Sequence, residues 1–146
     1  MKKLFFVIGL ILVQTYLFGQ GYNHQWLLGS YNFFQDPKGR ILIDQNNYIL
    51  TNENRKMPFK GTQGNISDKN GNLLMSSNGY WIANALNDTM MNGSGINPGG
   101  ITPNWPYGLP MIANNMFIPF PDDTNRYVML HHSASSFCRC FQIFLA

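Results

Sequence analysis

The sequence predicts an all-β protein built from antiparallel meanders. Three observations carry that expectation: a composition crowded with turn residues, an aspartate–glycine block that occurs twice, and no helical period beyond the first twenty residues. The chain has 146 residues, which suits one ordinary domain. It is 45% hydrophobic and 14% aromatic but only 12% charged. That supplies a core and carries too little charge for a disordered tail. With 18 asparagines, 14 glycines and 8 prolines, it favours many short strands joined by tight turns.

The first element is an export signal. "MKK" is a positive n-region, "LFFVIGLILV" an apolar stretch, and "QTYLFGQ" carries the small Gly19. Residues 1–19 read as a secretory signal helix, cleaved after Gly19 or Gln20. The apolar run is shorter than the ~20 residues a spanning helix needs, so contact with a membrane is expected through the transient signal alone. The segment holds no cysteine for a lipid anchor. The expected location is secreted or at the outer cell surface. Without Lys2 and Lys3 the net charge falls from +3 to +1, and the remaining cations are scattered. No nucleic-acid footprint is present.

After the signal, Gln25 to Gly29 reads as a first strand. The block "DPKGRILIDQNNYI" (36–49) then matches "DKNGNLLMSSNGYW" (68–81) at a shift of 32 residues. In each, D-x-x-G reads as a type I turn closed by a left-handed glycine: Asp36 with Gly39, and Asp68 with Gly71. An Asn-Asn or Asn-Gly hairpin signal follows, the second at Asn78 and Gly79. The second copy predicts strands near 63–67, 72–76 and 80–84, with 51–63 as a loop leading into it. A third, degenerate copy places strands at Phe117–Phe120 and Tyr127–Leu130, with Asp122 and Asn125 in the turn. Residues 87–110 show no period and read as a long loop. The expected core comprises Trp26, Leu28, Ile41, Ile43, Leu73, Met75, Trp81, Ile82, Ile118, Val128 and Leu130.

Calcium at Asp68, Asn70 and Asn72 would require more carboxylates and a glutamate where Gly79 stands. Lys38 and Arg40 in the first copy would repel the ion. The turn reading is preferred, and no metal or cofactor is expected. His131 and His132 point to opposite faces of a strand, and Cys138-x-Cys140 lacks zinc-knuckle spacing. Ser133, Ser135 and Ser136 sit in no nucleophile elbow. The one glutamate, Glu53, and the aspartates Asp44, Asp88 and Asp123 have nothing to bring them together as an acid–base pair. The expectation is therefore a non-enzyme. Trp105 and Tyr107 in the long loop are the candidate binding residues, since exposed aromatics stack on sugars and peptides. The competing and preferred expectation has Trp105 filling the core beneath its loop.

Four stretches also carry a resemblance. "GYNHQWLLG", "ISDKNGNLLMSSNGYWIANA", "MMNGSGINPG" and "IPFPDDTNRYVMLHH", in that order over residues 21–132, resemble the N-terminal region of large secreted Bacteroidetes-type proteins. Many of those end in a sorting domain for type IX secretion. The resemblance implies a β-propeller-like fold and no assigned biochemical activity. Blades take roughly 40–45 residues, so residues 20–132 suffice for a partial array of two to three. Residues 133–146, ending "SSFCRCFQIFLA", depart from the family pattern. The expectation is a truncated or frame-shifted product, with a genuine short paralogue as the alternative. The implied role is a non-catalytic exported scaffold for adhesion or ligand display, its partner a surface glycan or protein. Two alternatives stay open: a carbohydrate- or peptide-binding module using the 87–110 loop, and an exported hydrolase.

Overall fold

The structure is a computed structural model that describes residues 21–29, 37–44, 47–111, 115–132 and 141–145. The signal segment 1–19, Asp36, Cys138 and Cys140 lie outside the described residues. Among the described residues, ten strands form three antiparallel sheets and no α-helix occurs. The first sheet is β1 (Gln25–Leu27), β2 (Lys38–Asp44) and β3 (Asn47–Glu53). The second is β4 (Gly64–Ser67), β5 (Leu73–Ser77), β6 (Trp81–Asn84) and β7 (Thr89–Ser94). The third is β8 (Asn115–Phe120), β9 (Asp123–His132) and β10 (Phe141–Leu145). Each sheet is a meander in chain order, so all-β holds. The opening strands touch one another: β1 meets β4, and β4 meets β8.

The turns show how the sequence folds the chain back. Between β4 and β5, Asp68 Oδ1 accepts the N–H groups of Asn70 and Asn72 at 2.8 and 2.9 Å. Gly71 follows at φ +87°, in the region open to glycine. Asn78 opens the next turn, its Oδ1 accepting from the Tyr80 and Trp81 backbone, with Gly79 at φ +82°. Asn84 repeats the aspartate pattern, accepting from Leu86 and Asp88 N–H at 2.9 and 3.0 Å.

Two turn assignments are corrected. Gly39 does not close a turn. It lies within β2 opposite Asn52, and its carbonyl accepts Leu28 N–H at 2.8 Å. The β1–β2 ladder continues past the end of β1 and takes Gly39 into it. In the third hairpin the left-handed residue is Asp122 (φ +60°), within the two-residue turn Pro121–Asp122. Asn125 belongs to β9 instead. The 87–110 stretch is also not wholly a loop, since it contributes β7 and a 3₁₀ turn at Thr102–Asn104.

The core has two parts, one on each face of the second sheet. Leu27, Met57, Phe59, Leu73 and Ala83 pack together with Trp81 against them. Ile66, Met75, Ile82, Ile96, Tyr127 and Met129 form the other cluster. Ile82 and Ala83 are adjacent on β6, so they face opposite ways and join different clusters. The expected core is corrected at several positions. Ile118 is 39% exposed, Val128 and Leu130 are half-buried, and β9 instead buries Tyr127, Met129 and His131. Both parities of "YVMLH" are largely apolar, so alternation alone cannot choose the face. Packing against Ile66 and Met75 chooses it. Trp26 is 54% exposed, and Leu28, Ile41 and Ile43 are only half-buried, because among the described residues no element packs on the face of the first sheet opposite Leu27.

Side chains tie the sheets together. Asn65 of β4 accepts Leu27 N–H at 3.1 Å and donates to Gln25 O at 2.7 Å, fastening the second sheet to β1. Asn115 of β8 donates to Ser77 O at 3.2 Å, fastening the third. β8 approaches so closely that a Cβ on Gly64 would stand 2.9 Å from Asn115 Cβ. Arg55 is fully buried. Its guanidinium pairs with Glu53, donates to Leu28 O and, at 3.3 Å, to Met57 O, and lies 4.9 Å from the Phe59 ring centre. Removing one member of a buried charge network costs about 3–5 kcal/mol; here Glu53 keeps Arg40, and the Leu28 and Met57 carbonyls lose their donor. Arg55→Ala is therefore expected to lose about 3 kcal/mol or more of unfolding free energy. Urea denaturation of the variant beside the wild type measures it, and a loss below about 1 kcal/mol would mean that Arg40 and water satisfy Glu53 without Arg55.

Candidate functional site

Gly21 N–H donates to Lys69 O at 3.2 Å, which seats the 3₁₀ turn Gly21–Asn23 on the Asp68–Gly71 turn. The seating projects Tyr22 toward the β8–β9 hairpin tip. The result is an open cleft of about 440 Å³. Tyr22 and Tyr127 form its aromatic walls, Leu74, Met75 and Met90 its apolar floor, and Asp68, Asn70 and Thr124 part of its rim. A second depression of about 510 Å³ continues from it, sharing Tyr22 and Thr124 and adding Phe120, Asp122 and Asp123. Together they make one groove along the junction of the second and third sheets.

The groove's charges are set locally. At Asp68 burial pushes the carboxyl pKa up. Hydrogen bonds from the Asn72 side chain and from the Asn72, Asn70 and Gly71 backbone outweigh it and hold the group below its usual value. Asp123 is held low by its bond from Arg126, helped by Asn125 N–H. That same Arg126 lies 4.7 Å from the Phe120 ring centre. Burial raises the Tyr127 phenol, with smaller contributions from Tyr22 and Asp68. The phenol stays neutral at physiological pH and its hydroxyl donates to Thr124 O at 3.2 Å. The groove thus combines ring faces, an apolar floor and fixed carboxylates. That set suits binding of a ligand with both apolar faces and hydroxyl or amide groups.

Among the described residues the acidic side chains do not converge on one point. Asp68 and Asp123 are engaged by their own turns. Asp44 ends β2, whereas Asp88 precedes β7 and pairs with Lys56, so the two sit on different sheets. Among the described residues no group of three His, Cys, Asp or Glu could hold a metal ion. The serines at 133, 135 and 136 lie outside the described residues.

The sequence-predicted site residues lie elsewhere. Trp105 follows the 3₁₀ turn, half-buried and outside both core clusters, with Lys60 Nζ 4.2 Å from its ring centre. It is therefore neither the expected core plug nor an open platform. Tyr107 is 43% exposed beside it. Neither lines the groove. Gly71 supports the groove from beneath Tyr22's turn, whereas Asn78 and Gly79 are buried beside Pro58 and Leu109. Sequence reasoning missed Tyr22 and Tyr127. The signal available was their place at the two ends of the resemblance, each beside a turn. No protein-family model, no curated protein and no solved structure matches this chain.

Asp68 gives the site a pH signature. A carboxyl whose folded pKa lies below its unfolded value stabilises the fold above the unfolded pKa, and that contribution is lost as pH falls through the folded pKa. Asp68→Ala is expected to be less stable than wild type at neutral pH. The difference should shrink below about pH 4, the ordinary aspartate range. Denaturant midpoints across an acid series check this. A difference that stays constant would mean that the turn does not depend on the charge.

Proposed function

We propose that this chain is a non-catalytic, exported β-sheet scaffold of a cell-surface protein. Its three meanders act as successive blades of a propeller-like array, and it displays a ligand groove at a blade junction. One observation carries the reading: β1, β4 and β8, the opening strands of the meanders, lie against one another in chain order. Radial arrays place the first strand of every blade at the centre in this way. The N-terminal signal supports export, and the fixed turns support a scaffold role. A sorting route by type IX secretion belongs to the same proposal.

A second reading is favoured by the groove itself. The chain is a binding module for a surface glycan or peptide, with Tyr22 and Tyr127 as its contact residues in place of Trp105 and Tyr107. The Lys60 ammonium over the Trp105 ring works against stacking there. Glycan and peptide arrays probed with the full chain separate the readings. Under the binding reading, Tyr22→Ala weakens a hit by about two- to tenfold, the size of one lost aromatic stack, and Trp105→Ala leaves it unchanged. The reverse ranking would return the site to the 87–110 loop. No hit at all would leave the scaffold alone, and turnover of any arrayed glycan would establish a hydrolase. N-terminal sequencing of the exported chain is expected to begin at Gln20 or Gly21. Retention of Met1 would end the export reading.

A further inference from the structure

Among the described residues, no strand pairs with the outer edge of β3. β3 pairs with β2 over its whole length, from Lys38↔Glu53 to Asp44↔Asn47, with no register shift, and it is the last strand of its sheet. Bonds on the other side of β2 reveal which groups β3 turns outward. Ile43 N–H donates to His24 O at 2.7 Å and Leu28 N–H to Gly39 O at 2.8 Å. Odd-numbered residues of β2 therefore aim their backbone at β1, and even-numbered ones aim at β3. The partners of the even set are Asn47, Ile49, Thr51 and Glu53. That leaves Tyr48, Leu50 and Asn52 turning their backbone N–H and C=O to the free side, where the Tyr48 N–H donates to Asn47 Oδ1 at 2.8 Å.

Side chains make this edge adhesive. Tyr48, Ile49 and Leu50 are 66%, 57% and 67% exposed. Folded proteins guard open edges with lysine, proline, bulges or inward charges. β3 has no lysine, proline or bulge, and its one charged residue, Glu53, is taken up by Arg40 and Arg55. The free edge of the second sheet differs, because β7 carries a register shift and the left-handed Asn92. That sheet also has four strands where the first has three.

We infer that a fourth strand adds to β3 in trans, and that it is β3 of a second copy of this chain, antiparallel about a two-fold axis at Leu50. This register sets Leu50 against its own copy and Tyr48 against Asn52 of the second chain, so every outward backbone group meets another once the Tyr48 N–H exchanges its bond to Asn47 Oδ1 for one across the pair. It sets Glu53, already ion-paired, against Asn47, so no like charges face. A charged partner strand would find no counter-charge on this edge, whereas the edge complements itself. Trp26, Ile41 and Leu50 lie side by side across the first sheet. In the dimer that apolar row continues through both chains.

Sedimentation velocity of the full chain over a concentration series tests the dimer. The expected result is a shift from one chain mass to two as concentration rises. Leu50→Pro removes an outward N–H and leaves the bonds to β2 intact, so it is expected to stay folded and monomeric. Ile49→Thr, whose N–H faces β2, is expected to keep the dimer. Where Leu50→Pro fails to fold, Leu50→Cys in a Cys138→Ser, Cys140→Ser background replaces it. Facing residues of a hydrogen-bonded antiparallel pair have Cα atoms about 5.5 Å apart, within disulfide range, so oxidation should give a covalent dimer. A chain that stays monomeric throughout, a dimer that survives Leu50→Pro, or a dimer in which Leu50→Cys does not cross-link overturns the inference.

Discussion

The buried guanidinium of Arg55 is the constraint on which the architecture turns. It occupies the place where the first sheet ends and the chain crosses toward the second. Glu53, the only glutamate in the sequence, closes β3 and neutralises both Arg55 and Arg40. Lys38, also buried, donates to Arg55 O at 2.6 Å. A charge this deep is tolerated only with partners in every direction. Those partners belong to Leu28 just after β1, to β3 and to the segment carrying Met57 and Phe59. That segment has no regular structure of its own. Charge and hydrogen bonds hold it against Leu27, Leu73 and Ala83, where strand pairing cannot.

Asparagine does the same work between the other elements without charge. Asn65, Asn78 and Asn115 each spend a side-chain amide on the backbone of a different segment, across 40, 20 and 38 residues of sequence. An amide has both donors and an acceptor, so it can stand in for a missing strand partner where two sheets meet edge to edge. The asparagine abundance thus has two causes. Asn84 serves a tight turn, whereas Asn65 and Asn115 splice sheets. Composition sums the two and cannot separate them.

The groove follows from that splicing. Sheets joined at their opening strands diverge away from the joint, and the gap on the Asp68 side is walled by Tyr22 and Tyr127. The same geometry leaves the far face of the first sheet uncovered among the described residues, which is why Trp26, Tyr48 and Leu50 remain in solvent. The groove and the exposed edge are therefore two outcomes of one packing arrangement.

Much of the second sheet was legible in advance. Its first three strands fall within a residue or so of the predicted ranges, because Asp68, Gly71, Asn78 and Gly79 encode their turns in adjacent residues. β7 was not legible, since its glycine and asparagine resemble a loop until β6 supplies a partner. The Gly39 turn failed for the opposite reason: a local D-x-x-G signal gave way to the non-local β1–β2 ladder. Of the groove, Asp68, Asp122 and Asn125 were singled out beforehand as turn residues, Met75 as core, and Asn70 and Asp123 only while weighing calcium and acid–base chemistry; neither tyrosine was.

What the sequence determined alone was the strand-and-turn grammar, because the left-handed conformations and side-chain caps act within four residues. Which face of β9 is inside, where Arg55 finds its counter-charge and which tyrosines meet were decided by tertiary structure. Each depends on residues far apart in the chain whose approach no local pattern records.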